Sequence, residues 1–290
     1  MRALFFAILC LIFTSCNDFL FKLFGRRRAP MGGFVFIVGL MELAVALADW
    51  PEFGNTAMTL LWGIVAGLLS VTANLLLIAA MGHQPGGVVS TIYRLNMVGV
   101  ILGGWLIFKE PISLLHWWGI FCATMAVLCF FPSSKERTAQ RSATKGFVLA
   151  GCAMLLRAAM GLAYKQGVNT GGAESGLVLM NSCCWIAGGF LWYLVAEKPK
   201  GASFLVKRAV FYGIGNGIVV YMVLRTTVEM FAAGGAVSIT LPLAQMSFIP
   251  TFALGIIFLK EKVDARKICG VCAGIAAVII LAMCTQAGAG

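Results

Sequence analysis

Charged residues are scarce in this chain of 290 residues. Only 11% of its residues are Asp, Glu, Lys or Arg, and it has two His. A soluble globular domain carries charge on about a quarter of its residues. The chain is instead 60% hydrophobic, with a mean hydropathy of +0.94. This composition excludes a soluble domain and predicts a protein of the lipid bilayer.

Motifs for catalysis and for binding metals or phosphates are also missing. The chain has no HExxH, GxSxG or DxxD pattern and no GxxxxGK[ST] phosphate-binding loop. Among its ten cysteines, Cys269 and Cys272 have the spacing of half a zinc site, but no second pair or nearby His completes four ligands. We therefore expect no enzyme activity, no metal, no cofactor and no ATPase.

Long apolar segments follow one another along the whole sequence. A helix that crosses a bilayer needs about 20 such residues, and unbroken apolar runs are typical of helices rather than of barrel strands. The first segment continues past Cys16, which favours an uncleaved span over a lipoprotein signal. The sequence predicts an all-α polytopic protein with ten transmembrane helices, at 3–21, 31–48, 58–80, 88–108, 114–131, 146–164, 177–196, 209–230, 237–259 and 268–284.

The two halves of the chain repeat a short pattern. Glu110 and Gly119 are matched by Glu261 and Gly270, in each case 151 residues later. Pro111 follows the first Glu, whereas a lysine follows the second.

The repeat divides the chain into two five-helix units. We assign residues 1–131 to the first repeat, 132–145 to a basic linker and 146–290 to the second repeat. Because each unit has an odd number of spans, the second is inverted relative to the first.

This organisation resembles the drug/metabolite transporter superfamily, and within it the EamA-like ten-helix transporters. The resemblance extends over nearly the whole chain and is carried by the two repeats and the Glu followed nine residues later by Gly. It implies a solute carrier with a central cavity between the halves, built mainly from spans one, three, four, six, eight and nine. Family members usually carry a proline within spans four and nine, and here span four has none.

Ionisable residues within spans are the best candidates for function, because each is costly in hydrocarbon unless it faces water or a partner. Tyr221, Arg225 and Glu229 recur every four residues and so share one face of the eighth span. The predicted substrate-binding residues are Asn17, Asn74, Tyr93, Arg94, Asn96, Arg157, Tyr221, Arg225 and Gln245. The candidates for proton coupling are Glu229, Asp18 and Glu42, with pairing inside the protein as the expected role of Glu42. In the alternative that stays open, these three acids form ion pairs with the three arginines within spans, Arg94, Arg157 and Arg225.

The basic residues are distributed unequally between the two sides of the predicted spans. Sixteen Lys and Arg flank spans on one side and three on the other. The positive-inside rule makes the basic side cytoplasmic and puts both termini outside, whereas the family resemblance implies termini inside. The net charge of +11 then belongs to a rim that faces anionic lipid headgroups, and no nucleic-acid partner is expected.

Together these features predict a secondary active transporter in the plasma membrane, the inner membrane of a bacterium. The substrate would be a small polar or amphipathic metabolite, amino-acid-like or an organic anion, because a guanidinium group matches carboxylate or phosphate. Export is favoured, with the proton as one candidate coupling ion. The alternatives are a multidrug efflux carrier, an intramembrane enzyme and a structural membrane protein. A monomer and a homodimer are both open, since Gly270 and Gly274 would allow close helix pairing.

Overall fold

The computed structural model describes residues 2–25, 30–81, 83, 89, 92–111, 113–129, 143–259 and 265–287. Within these ranges the chain is helical apart from turns, short loops and one isolated bridge between Gly54 and Gly172. Seven helices are long and apolar enough to cross a membrane, and shorter apolar helices occupy the fourth, fifth and tenth predicted spans. The prediction of an all-α membrane protein is therefore confirmed.

The helices begin and end within a few residues of most of the predicted spans. They are α1 (Arg2–Gly25), α2 (Met31–Ala48), α3 (Thr56–Met81), α4 (Asn96–Phe108), α5 (Leu114–Cys129), α6 (Ala143–Asn169), α7 (Glu174–Trp192), α8 (Lys207–Ala232), α9 (Val237–Gln245), α10 (Phe248–Leu259) and α11 (Ala265–Ala287). A π-helical turn and a 3₁₀ turn extend α7 to Lys200. Of the predicted linker, residues 132–142 lie outside the described residues, as does Glu261.

The ninth predicted span corrects our expectation of a single helix, because α9 and α10 are separated by a turn at Met246 and Ser247. Pro250 has no N–H with which to bond the Met246 carbonyl. That carbonyl accepts a 3.0 Å hydrogen bond from the Ile249 amide instead. The span is thus interrupted within its length.

The fourth span is interrupted in the same way, although it contains no proline. Leu95 forms a turn between a short helical segment and α4, and the Leu95 carbonyl accepts a 3.0 Å hydrogen bond from the Val98 amide. Leu95 and Met246 are 151 residues apart, which is the offset of the sequence repeat. The Asn96 side chain donates to the Tyr93 carbonyl at 2.8 Å and so satisfies a carbonyl beside the break.

Helix packing is the same when the helices of the first half are exchanged for those of the second. The exchange replaces α1 by α6, α2 by α7, α3 by α8, α4 by α9 and α5 by α11. It turns the contact of α1 with α8 into that of α6 with α3, and the contact of α2 with α8 into that of α7 with α3; both members of each pair are present. The contacts of α2 with α7, of α4 with α9 and of α5 with α11 are unchanged by it. The pairing therefore joins helices of one half to helices of the other.

Glycines make these contacts close at equivalent positions of α3 and α8. A Cβ atom on Gly63 would lie 2.6 Å from the Met180 Cβ of α7, and one on Gly213 would lie 2.7 Å from the Ile37 side chain of α2. Four residues further along each helix, Gly67 meets α7 and Gly217 meets α2. The absence of side chains at these positions lets the helix backbones approach.

Candidate functional site

A small pocket lies between the two halves. Its lining comes from five helices: Cys10 and Thr14 of α1, Asn96 and Val100 of α4, Arg157, Met160 and Gly161 of α6, Val223, Leu224 and Thr227 of α8, and Leu241, Ala244 and Gln245 of α9. The volume is about 20 Å³, which is room for about one water molecule. These helices include five of the six spans that the family resemblance implies for the cavity, all but span three.

Arg157 brings the positive charge to this pocket. Its guanidinium donates to the sulfur of Met160 at 3.4 Å, a weak acceptor one turn along the same helix. No acid of the described residues lies within ion-pair distance of Arg157. Its charge is therefore left without a counter-ion in the described structure.

Arg94 lies beside the pocket, and both terminal nitrogens of its guanidinium are hydrogen-bonded. One guanidinium nitrogen lies 2.5 Å from the carboxylate of Asp18 on α1, and the other donates to the Gln245 carbonyl at 2.9 Å and to the Ser247 hydroxyl at 3.1 Å. The Gln245 carbonyl ends α9, where a cation also interacts favourably with the helix dipole. Arg94 thus holds the interruption of span nine against α1.

The break between α9 and α10 is satisfied by further polar groups of α1. Ser247 donates from its hydroxyl to Asp18 at 3.1 Å, and its carbonyl accepts from the Ser15 hydroxyl at 3.0 Å. The Thr251 hydroxyl reaches the Ser15 carbonyl at 3.2 Å. Discontinuous helices are a recurrent place for substrate and ion sites in transporters, because their freed backbone groups need such partners.

Five other predicted substrate-binding residues have different surroundings. Asn96 and Gln245 line it, and the Tyr93 carbonyl accepts from Asn96. The Asn17 side-chain oxygen is buried without a partner in the described part of the chain. Asn74 of α3 is buried and donates back to the Ser70 carbonyl at 2.9 Å, so it acts within its own helix.

Tyr221, Arg225 and Glu229 share one face of α8, as their spacing predicts, but among the described residues none of them lines the pocket. Arg225 lies 3.0 Å from the Glu229 carboxylate and 3.6 Å from that of Asp49, which follows the end of α2. The Tyr221 hydroxyl donates to the same Asp49 oxygen at 2.6 Å. This cluster joins α8 to the end of α2.

Glu42 of α2 is wholly buried where this helix packs against α7. One of its oxygens accepts from the Asn181 side-chain amide at 2.8 Å, and the other has no partner among the described residues. The Asn181 oxygen in turn accepts from the Tyr164 hydroxyl of α6 at 2.9 Å. A chain of hydrogen bonds therefore links three helices, with no cation within ion-pair distance in the described ranges.

The repeated Glu joins two of the helices that line the pocket. Glu110 follows α4, and its two oxygens accept from the backbone amides of Val237 at 2.7 Å and Ser238 at 2.8 Å, in the first turn of α9. Nearby, the buried Lys165 of α6 donates to the Gly235 carbonyl at 2.8 Å. Helices α4, α6 and α9 are thus joined by hydrogen bonds at the sparsely basic side, the side of the predicted spans with three flanking Lys and Arg.

The other residues of the repeat motif have packing positions. Gly119 of α5 is buried, and a Cβ there would lie 2.7 Å from the Leu281 side chain of α11. Gly270 of α11 is buried, whereas Pro111 is exposed beside Glu110.

Several residues of these networks were not identified from the sequence. Asp49 and Lys165 stand near span ends and were interpreted only as flanking charges, and Asn181 and Ser247 are small polar residues inside apolar runs. Buried amides and hydroxyls in a span are a signal, because each needs a hydrogen-bond partner. The identity of the partner depends on helix packing.

Comparison with known proteins gives the fold alone. No family model matches the chain, and no relative is found among curated proteins. Solved structures do match it, in 29 chains. One, described only as "Crystal structure of protein", has a TM-score of 0.77 over 98% of this chain and 97% of its own, at 11% sequence identity. The architecture therefore occurs elsewhere in nearly complete form.

Proposed function

We propose that this protein is a secondary active transporter of the drug/metabolite transporter type, which moves a small polar or amphipathic metabolite by alternating access. The observation that carries this proposal is Arg157, an arginine in a pocket between the two halves that has no counter-ion among the described residues. A charge of this kind is costly within a membrane and has an obvious use if it binds a substrate anion. A structural protein has no need of it.

The proposed ten-helix inverted repeat is supported by three independent features. The helix pairing is preserved on exchange of the halves. Spans four and nine are interrupted at Leu95 and Met246, at the offset of the sequence repeat. The paired glycines of α3 and α8 meet equivalent helices of the opposite half. Two halves related in this way supply the two opposite openings that alternating access requires.

The described conformation suits one state of such a cycle. The pocket is too small for a metabolite, and Glu110 and Lys165 hold its helices together at one end. Transport would require these hydrogen bonds to break on that side, so that the pocket opens and enlarges.

For coupling, the structure offers three acids with different surroundings. Asp18 is paired with Arg94, and Glu229 with Arg225. Glu42 has only amide and hydroxyl neighbours in its hydrogen-bond network. If the driving ion is a proton, we assign its uptake first to Glu42, because no arginine of the described residues forms an ion pair with it. Glu42→Gln should then abolish uptake driven by a pH gradient and leave exchange of substrate without a gradient intact.

We further propose that both termini lie outside a plasma membrane, on the strength of the sixteen-to-three bias in Lys and Arg. A reporter that is active only in the cytoplasm, fused after residue 290, should be inactive. Activity of that fusion would instead establish the orientation implied by the family resemblance.

The transport proposal is tested by binding and then by flux. The purified protein is screened for thermal stabilisation by a metabolite panel, and each compound that binds is followed into proteoliposomes with an imposed ion gradient. We expect uptake above that of protein-free liposomes, and its loss in Arg157→Gln. Arg266→Gln is the matched control, because the described hydrogen bond of Arg266 goes to the Leu128 carbonyl at an exposed position. Compounds that bind without crossing the membrane would contradict transport and favour the enzyme or structural alternatives.

A further inference from the structure

The proposed transport function leaves the charge of the substrate open, and we infer from the pocket that it is a monoanion, a small organic acid rather than an amino acid or a cation. This inference rests on the proposed function. It follows from the balance of charge at the centre of the protein and from the neutral character of the remaining walls.

Of the described residues, two arginines and one acid lie at the centre. Arg94 and Asp18 are paired at 2.5 Å and neutralise each other. Arg94 also uses its second terminal nitrogen on the Gln245 carbonyl and Ser247 hydroxyl. Arg157 is left over, so the centre has a net charge of one positive unit. One bound carboxylate would neutralise it.

The position of Arg157 makes this charge available. It belongs to the lining, whereas its described hydrogen bond goes only to the soft sulfur of Met160. An anion that replaced this contact would gain charge-assisted hydrogen bonds, and a carboxylate can take two from one guanidinium.

The ammonium group of a zwitterion is held most strongly by a second, acidic subsite. None of the described lining residues is Asp or Glu. The polar walls consist of the neutral groups of Cys10, Thr14, Asn96, Thr227 and Gln245. An ammonium group buried against these walls would keep an uncompensated charge close to Arg157.

The rest of the lining is aliphatic, with Val100, Val223, Leu224 and Leu241. This surface suits the hydrocarbon part of an acid. The lining thus combines one cationic group, on α6, with aliphatic side chains of α4, α8 and α9.

The test uses matched compounds that differ only in charge. Thermal unfolding of the purified protein in detergent is measured with straight-chain carboxylates of two to eight carbons and with the amide, the amine and the 2-amino acid of each skeleton. We expect the unfolding temperature to rise with carboxylate concentration for at least one chain length. The corresponding amide and amine should bind about 100-fold more weakly, the scale of a lost pair of charge-assisted hydrogen bonds. The amino acid keeps its carboxylate and should also bind more weakly, because its ammonium group meets no acid among the described lining residues.

Two variants separate binding at Arg157 from a general effect of anions. Arg157→Gln should remove the stabilisation, whereas Arg266→Gln on the exposed rim should keep it. Equal or stronger stabilisation by the amino acid or the amine overturns the inference, as does a response to none of the carboxylates. Uptake of a zwitterion into proteoliposomes would leave the transport function standing while refuting the monoanion, so the two proposals fail separately.

Discussion

The Glu110 carboxylate accepts a 2.7 Å hydrogen bond from the backbone amide of Val237, which lies 127 residues later in the sequence. Its second oxygen accepts from Ser238, so the repeated glutamate at the end of one interrupted span caps the first turn of the other. The unsatisfied amides of a helix N-terminus carry partial positive charge, which a carboxylate stabilises. This contact gives a structural reason for the presence of Glu at this position of the repeat.

Loss of this cap should open the pocket on the sparsely basic side. Glu110→Ala leaves two amides without their acceptor, at a cost of about 1–2 kcal/mol. Cys10 lines the pocket, so its labelling by a water-soluble maleimide reports opening in a variant that keeps only this cysteine. We expect faster labelling in Glu110→Ala and a smaller increase in Glu110→Gln, which retains one acceptor.

Glu174 provides the control for that experiment, because it lies in the first turn of α7. Glu174→Ala should not change the labelling rate of Cys10. An unchanged rate in Glu110→Ala as well would mean that the cap serves stability alone and that the pocket opens elsewhere.

Close packing of α8 on α2 should depend on one glycine and not on its neighbour. A Cβ on Gly217 would lie 2.5 Å from the Met41 Cβ and 2.7 Å from the Val38 carbonyl, whereas one on Gly215 meets nothing within 4 Å. We expect Gly217→Ala to destabilise by about 1–3 kcal/mol through overpacking. Gly215→Ala should be neutral or stabilising by up to about 1 kcal/mol, since alanine is the better helix former.

Thermal unfolding in detergent measures both variants. Equal effects of the two substitutions would show that α2 and α8 are not in tight contact at Gly217. Gly67→Ala extends the test to the other half, because a Cβ there would lie 2.8 Å from the Cys184 sulfur.

The sequence predicted the elements and their intrahelical relations better than their partners. Apolar length alone located the helices, and a spacing of four placed Arg225 beside Glu229. The contacts of Arg225 with Asp49 and of Arg94 with Asp18 were not predictable, because they join residues far apart in sequence. The break at Leu95 was also missed, since no proline marks it. It is stabilised instead by tertiary contacts and by the Asn96 side chain.

The cluster on α8 should behave as a brace rather than as the substrate-binding and proton-coupling residues that we predicted. Arg225 and Glu229 pair with each other, and with Asp49 they join α8 to the end of α2. We therefore expect the double variant Arg225→Met with Glu229→Met to retain substrate flux in proteoliposomes, with lowered thermal stability. Loss of flux in a folded double variant would return these residues to the site. Loss of the pH response in Glu229→Gln alone would identify that acid as the coupling group.

Removal of the Asp18 carboxylate should change which anions the protein prefers. In the native chain this group neutralises Arg94, which leaves the single charge of Arg157 for substrate. Asp18→Asn keeps the size of the side chain and an acceptor for Arg94, but it raises the net charge of the centre from one to two positive units. A dianion is then attracted through both of its charges, whereas a monoanion of the same skeleton is attracted through one. We expect the affinity for a straight-chain dicarboxylate, measured by thermal stabilisation, to increase about tenfold in Asp18→Asn relative to that for the monocarboxylate of the same length, about 1.4 kcal/mol.

The control is Asn17→Ala, at the neighbouring position, which alters no charge and should leave the ratio of dicarboxylate to monocarboxylate affinity as it is. An unchanged ratio in Asp18→Asn would show that Arg94 does not contribute to the field at the pocket, and the substrate charge would then be set by Arg157 alone.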